Sequence, residues 1–144
     1  MISVALAQRL RDAGLRWDPE SGDRFMLPGL GMDDEVFVLS NMVVDVHDFP
    51  GGRFLGFNGT VEWALDSVEQ ESALWLPNES QLRDRLGGSF IRFERDDDAY
   101  AVVLQVAGNE IRTRHEVPAE AYGLALLYLA TGEPVGSARS AQSA

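Results

Sequence analysis

The sequence predicts an α+β fold, in which a mainly antiparallel sheet has helices packed on one side. Two observations predict this class. Apolar residues recur at helical spacing near both ends of the chain, whereas short apolar runs between turn residues fill residues 24–57 and 89–117. Strands therefore come in runs of their own instead of alternating with helices one by one. Such runs pair through short turns, which makes the sheet antiparallel.

The first element is a helix over residues 4–13. Leu6 and Leu10 recur at helical spacing, and Ser3 stands where the side chain of an N-cap accepts a hydrogen bond from the first turn. Gly14 ends the helix, because glycine readily adopts the left-handed conformation found at helix C-termini. Four short strands follow, separated by proline, glycine, serine and asparagine. They occupy residues 24–27, 35–39, 42–48 and 53–57.

Two further helices are predicted in the middle of the chain. From Val61 the apolar residues change to helical spacing, with Val68 on the same face, which indicates a helix. Asn78 and Gln81 form a capping-box pattern at the start of a second, shorter helix. The glycine at Gly87 ends that helix.

The clearest strand pattern lies in the last third. Residues 89–95 and 99–107 are rich in β-branched and aromatic side chains, and an aspartate turn joins them. Gly108 and Asn109 predict a two-residue hairpin turn of type II′, because glycine supplies the positive φ of its first position. Beyond this turn apolar and polar residues alternate up to Val117, so one face of that strand is buried and the other is wet.

The final helix begins at Pro118, which suits the first helical position, and ends at Gly132. It is apolar nearly all round, which predicts a buried helix packed across the sheet. At 144 residues the chain fits one domain, which we place at residues 1–132. Residues 133–144 are rich in serine and alanine without apolar periodicity, so they are predicted to be a disordered tail.

The composition excludes several kinds of chemistry. The chain has no cysteine, and all twelve of its basic residues are arginine. Cysteine-ligated metals, thiol nucleophiles, P-loop lysines and Schiff-base lysines are therefore excluded, and we predict no cofactor, no metal and no catalytic residue. The N-terminus has no signal-peptide core, and no apolar run approaches the ~20 residues of a membrane span. We expect a cytoplasmic protein that binds no membrane.

The charge is strongly acidic and unevenly distributed. A net charge of −11 repels phosphate backbones, so nucleic-acid binding is not expected, and it attracts a partner with a basic surface. Residues 16–50 hold eight acidic residues against two arginines. This uneven distribution of charge favours docking of a charged partner or formation of a homo-oligomer. The alternative is that the charge serves only solubility. The later segments are richer in arginine, at Arg83, Arg85, Arg92, Arg95, Arg112 and Arg114.

Three tryptophans, Trp17, Trp63 and Trp75, are candidate binding residues. Exposed aromatic rings often anchor a protein partner, and the alternative for these rings is packing in the core. Asp45 and His47 form a second candidate site, because two residues that are two apart on a strand share a face. They could grip a divalent cation or act as a carboxylate-oriented base, and the alternative is a solvated polar face.

Four stretches carry a resemblance to known proteins: residues 10–17, 32–47, 57–77 and 121–129. In these stretches the chain resembles an uncharacterised family of bacterial proteins of similar length, some of which carry a pilus-assembly label. The resemblance implies a bacterial source and assigns no activity. The label usually denotes a much longer ATPase with a lysine-bearing phosphate loop. This chain has no lysine, so no functional residue carries over.

These observations favour a non-enzymatic, acidic protein-interaction or regulatory module of the cytoplasm. One alternative is a small enzyme that depends on a metal or ligand and is centred on Asp45 and His47. Another is an accessory protein of a pilus or secretion system.

Overall fold

The structure is a computed structural model of the chain, and it describes residues 1–28, 32–39, 43–49, 52–57, 67–69 and 73–133. Within them lie three α-helices and three small antiparallel sheets, which confirms the predicted α+β class. In chain order the elements are α1 (Val4–Asp12), β1 (Arg24–Leu27), β2 (Met32–Val38), β3 (Val43–Phe49), β4 (Gly52–Phe57), β5 (Ser67–Glu69), β6 (Leu74–Trp75), α2 (Glu79–Leu86), β7 (Phe90–Asp96), β8 (Ala99–Val106), β9 (Asn109–His115) and α3 (Pro118–Thr131).

The chain divides into two compact units. Unit 1 comprises Met1–Arg16 and Pro77–Ala144, and unit 2 comprises Trp17–Leu76. Unit 1 holds the three helices and the sheet with strand order β7-β8-β9, whereas unit 2 holds the sheets β2-β1-β6 and β3-β4-β5. The single domain over residues 1–132 stays a prediction. Most of the predicted tail, residues 134–144, lies outside the described residues.

Local signals set the ends of α1 as the sequence predicts. The Ser3 hydroxyl accepts a hydrogen bond from the Leu6 amide at 3.2 Å. At the other end the Leu15 amide donates to the Leu10 carbonyl at 2.9 Å, and Gly14 has a φ of +104°. This pattern is a Schellman motif, which satisfies carbonyls that have no partner inside the helix.

The caps of α2 and α3 also confirm the predictions. Asn78 and Gln81 form the complete capping box, with side-chain to backbone bonds of 2.8 and 2.9 Å. Pro118 opens α3, and Gly132 closes it in the left-handed conformation with a φ of +72°. Local signals in the sequence therefore set the ends of these helices.

Helix α3 packs on the sheet of unit 1. The buried Thr113 of β9 donates from its hydroxyl to the Ala121 carbonyl of α3 at 2.8 Å. Tyr122 is also buried and stacks on Phe93 of β7, with ring centroids 5.1 Å apart. These contacts seat α3 across the sheet, which agrees with the prediction of a buried helix.

Helices α1 and α3 meet at a glycine. A Cβ at Gly123 would lie 2.6 Å from Leu6 Cδ2 and 3.3 Å from Ile2 Cδ1, and both of these side chains are buried. Near the start of the two helices, the amide and hydroxyl of Ser3 donate to the two carboxylate oxygens of Glu120 at 2.9 and 2.8 Å. The missing side chain at Gly123 therefore allows the two helix surfaces to approach closely.

The turn between β8 and β9 differs from the prediction. A hairpin is present, but its two central residues are Ala107 and Gly108, because Val106 pairs with Asn109. Both have positive φ, +52° and +83°, which is the type I′ pattern and not the predicted type II′. Strand β8 ends one residue earlier, and β9 begins one residue earlier, than the sequence indicates, so the turn lies one residue closer to the N-terminus.

The helix predicted from Val61 is wrong at its C-terminal end. Residues 58–66 lie outside the described residues, and Ser67–Glu69 form strand β5. In β5, Val68 lies opposite Leu55 of β4 in an antiparallel pair. Pairing with β4 therefore overrides the helical spacing of the local sequence, because the preference for strand depends strongly on tertiary context.

We expect Gly123→Ala to destabilise unit 1 although alanine is the better helix former. Overpacking against Leu6 costs about 1–3 kcal/mol, and the gain in helix propensity offsets about 1 kcal/mol of that. Urea unfolding should show a net loss of about 1 kcal/mol. In a Leu6→Ala background the clash is gone, so the same change should stabilise. A gain in both backgrounds would contradict the close helix contact.

Candidate protein-interaction site

The negative charge of the chain belongs almost entirely to unit 2. Trp17–Leu76 contains twelve acidic residues and two arginines, a formal charge of −10. The remaining residues contain eleven acidic residues and ten arginines, a formal charge of −1. The two units therefore differ strongly in formal charge, and unit 2 carries nearly all of the net negative charge.

Strand β2 lies at an edge of the sheet β2-β1-β6. Its inner side pairs with β1, where Phe25 lies opposite Phe37, and no described residue pairs with its outer side. Val36 and Val38 share one face and are 41% and 57% exposed, and Glu35 is exposed as well. An edge strand with exposed backbone groups and apolar side chains is a template for pairing with another chain.

An aromatic row holds β2 in its place. Phe25 of β1 lies opposite Phe37 of β2 on one side and opposite Trp75 of β6 on the other. The rings of Phe25 and Phe37 stack with centroids 5.6 Å apart, and Trp17 approaches Phe25 at 5.4 Å. Such cross-strand aromatic pairs stabilise a small sheet, so the row fixes the strand that carries the exposed valines.

Asp23 connects Trp17 to the end of β2. Its buried carboxylate accepts hydrogen bonds from Trp17 Nε1 at 2.8 Å and from the Glu20 amide at 2.9 Å. The Asp23 carbonyl accepts from the Leu39 amide at 2.8 Å, and the Leu39 carbonyl accepts from the Gly22 amide at 2.7 Å. Asp23 therefore anchors the residue that directly follows β2.

The predicted tryptophan candidates are mainly in the core. Trp17 and Trp75 are only 6% and 8% exposed, which corresponds to the alternative of core packing. Trp63 lies outside the described residues. A binding role for the three rings stays a prediction, and in this conformation the exposed apolar groups of unit 2 include Val36 and Val38 instead.

The predicted pair Asp45 and His47 lies on β3. In the register with β4, Asp45 is opposite Gly56 and His47 is opposite Phe54, and the pairing is irregular between Val43 and Asp45. The side chains of the pair lie outside the described part of the molecule, so a metal or acid–base role stays a prediction. Within the part of the chain that the structure describes, no group of three or more histidines and carboxylates could hold a metal ion.

Three arginines of the unit 1 strands, Arg92, Arg112 and Arg114, form ion pairs with carboxylates. Arg112 of β9 donates to Glu94 at 2.7 Å and to Asp96 at 2.8 Å, and both carboxylates lie on β7. The bonds cross the central strand β8, where the small residues Ala101 and Val103 are fully buried. These small side chains leave room for the guanidinium to reach across. Further pairs join Arg114 to Asp96 and Asp98, and Arg92 to Glu94 and Glu110.

This network shifts the titration of its carboxyl groups. Hydrogen bonds from Arg112 and then from Arg92 lower the pKa of Glu94 below its ordinary value. The hydrogen bond from Arg112 is the main cause that lowers the pKa of Asp96. The same bonds raise the pKa of Arg112. The more basic face that the later arginines predict is therefore largely compensated by acidic residues on neighbouring strands.

An open cleft of about 310 Å³ lies in unit 1, between the C-terminal ends of α1 and α3. It contains none of the residues predicted as site residues, and no nucleophile with an adjacent base lines it. The cleft is lined by Arg9, Asp12, Ala13, Leu127, Thr131 and Glu133.

The described helices include none that is long and apolar enough to cross a membrane.

Comparison with known proteins adds no family: no family model, curated protein or solved structure matches the chain. The resemblance to bacterial proteins with a pilus-assembly label therefore stays a prediction. Among the described features, the exposed edge of β2 in the acidic unit 2 is the one that suggests a function.

We expect Asp23→Ala to destabilise unit 2 by at least about 1–3 kcal/mol, because it leaves the buried Trp17 Nε1 without its carboxylate acceptor. Asp23→Asn keeps an oxygen that can accept the same bonds, so it should cost less. Urea unfolding followed by tryptophan fluorescence measures both. Equal stabilities for the parent and Asp23→Ala would show that Asp23 does not anchor this unit.

We expect Arg112→Gln to lower the thermal midpoint at neutral pH. The folded pKa values of Glu94 and Asp96 are depressed, so the network stabilises the fold above the ordinary carboxyl pKa of about 4. That contribution is lost as the pH falls through the lowered folded values. The difference between variant and parent should therefore shrink between about pH 5 and pH 2.

The matched control for this experiment is Arg11→Gln, since Arg11 makes an exposed pair with Asp12 at 3.7 Å. Surface pairs of this kind contribute little, so the control should leave the midpoint nearly unchanged at every pH. An Arg112 effect that is as large at pH 2 as at neutral pH would mean that packing, and not the ion pairs, explains it.

Proposed function

We propose that the chain is a non-enzymatic protein-interaction module of the cytoplasm. In this proposal unit 2 binds a basic, extended segment of a partner protein along the outer edge of β2. The observation that carries the proposal is the coincidence of exposed valines on an edge strand with a formal charge of −10 on the same unit.

The backbone of β2 supplies the first part of the recognition. An incoming strand forms main-chain hydrogen bonds with the outer edge and so becomes a fourth strand of the sheet. Because the aromatic row and Asp23 already order β2, little conformational entropy is lost on its side of the complex. The affinity of such pairing does not depend on the sequence of the partner, so the side chains must supply the selectivity.

The side chains of β2 favour a partner that alternates apolar and basic residues. On one face an apolar side chain of the partner packs beside Val36 and Val38, which are now exposed to water. On the other face, where Glu35 lies, a basic side chain of the partner forms a cross-strand ion pair. The surrounding negative charge of unit 2 steers such a segment to the edge and repels acidic segments.

A fluorescent peptide of alternating valine and arginine tests this proposal. We expect the protein to bind it, and binding should weaken as salt screens the charges. A peptide of alternating valine and glutamate should not bind. Val38→Lys places a cation at the C-terminal end of the edge strand, and fluorescence anisotropy should show binding at least about tenfold weaker.

The control variant is Ala130→Lys, which makes the same change in net charge on an exposed residue of α3 in unit 1. A lysine near a helix C-terminus is favourable, so this variant should fold normally and bind like the parent. Equal weakening by both lysines would mean that only the overall charge attracts the peptide. Unchanged binding by Val38→Lys would exclude the β2 edge.

A further inference from the structure

We propose that unit 1 carries a second interaction surface, at which the β7 strands of two copies of this chain pair antiparallel about a twofold axis. In this dimer Phe93 lies opposite Phe93 of the second copy. The surface lies in a different unit from the β2 edge, so it is independent of the proposed function.

Strand β7 is an edge of the sheet β7-β8-β9, and among the described residues it pairs only with β8. Besides its charged residues it exposes large apolar side chains, since Ile91 is 42% and Phe93 37% exposed. The opposite edge, β9, is described over its whole length and has no exposed large apolar side chain. Of the two edges, β7 is therefore the one with apolar surface still to cover.

The charges of β7 restrict the register of self-pairing and favour an axis at Phe93. A twofold axis perpendicular to the sheet keeps each face on its own side, so only residues of like parity can lie opposite each other. With the axis at Arg92 or at Glu94, two like charges meet at the centre. With the axis at Phe93, Arg92 of each copy lies opposite Glu94 of the other, and the two charge pairs flank the aromatic centre.

Phe93 is held in position before any dimer forms. Its ring stacks on Tyr100 with centroids 5.5 Å apart and on Tyr122 at 5.1 Å. Two rings of its own chain therefore order Phe93, and the residue is still 37% exposed. Pairing with a second copy covers the exposed part at a small cost in side-chain entropy, and it joins two three-stranded sheets into one of six strands.

Sedimentation of the intact chain over a range of concentrations tests the proposal. We expect a dimer for the parent. Arg92→Glu and Glu94→Arg each place like charges opposite one another, so each variant alone should be a monomer. An equal mixture of the two variants restores both pairs between unlike copies, and it should sediment as a dimer. The double variant Arg92→Glu/Glu94→Arg should also dimerise.

The matched control is Glu116→Arg, which makes the same charge change as Glu94→Arg on an exposed residue that directly follows the far edge strand, β9. It should remain a dimer. A monomeric parent would overturn the proposal, and so would a dimer that neither β7 charge reversal affects.

A cross-linking experiment keeps the proposal testable if the charge variants do not fold. The chain has no cysteine, so Arg92→Cys and Glu94→Cys each introduce a single thiol. Directly opposite residues are close enough for a disulfide, whereas diagonal neighbours are not. On mild oxidation the mixture of the two variants should form far more cross-linked dimer than either variant alone. Equal cross-linking in all three samples would contradict the register.

Discussion

Each sheet of this molecule has three strands, so two of the three are edge strands. The rest of the structure depends on how those edges are covered. Every such edge exposes backbone donors and acceptors that can pair with another chain. At the β9 edge of unit 1 the sequence places charged residues, and their ion pairs reach back across β8 to Glu94 and Asp96. At β2 and β7 it leaves exposed apolar side chains beside the charged ones. Those two edges are therefore where association is expected.

The two units manage their charge in different ways. Unit 1 is almost neutral because arginines and carboxylates alternate across its strands, and the small residues on β8 allow the longer side chains to meet above them. Unit 2 has no comparable supply of cations, since it contains only two arginines. Within unit 2 the aromatic row and the buried Asp23 hold the sheet β2-β1-β6 together, and the acidic residues of the unit far outnumber its arginines.

The sequence predicts well what local chemistry determines. The caps at Ser3, Asn78 and Gly132 act within a few residues, so the three described helices could be located closely. Non-local pairing explains the errors: Val68 joins a strand because it meets Leu55, and the β8-β9 pairing moves the last turn by one residue. Each depends on contacts between segments that the sequence alone does not bring together.

For the same reason, the sequence alone does not reveal the two proposed interaction surfaces. Residues 35–39 could be recognised as a strand, but its place at a sheet edge depends on strand order. Tryptophan is a residue type that often binds partners, and only the tertiary fold shows that the rings of Trp17 and Trp75 are buried. In the sequence the later arginines suggest a basic patch. The register of the strands places acidic residues beside Arg92, Arg112 and Arg114.

Hydrogen–deuterium exchange of the β2 amides, measured with and without the valine–arginine peptide, tests the proposed function most directly. Pairing along the outer edge should slow exchange in residues 35–38 when the peptide is bound, while exchange in β9 stays the same. Binding that leaves β2 exchange unchanged, or that protects only unit 1, would contradict the account.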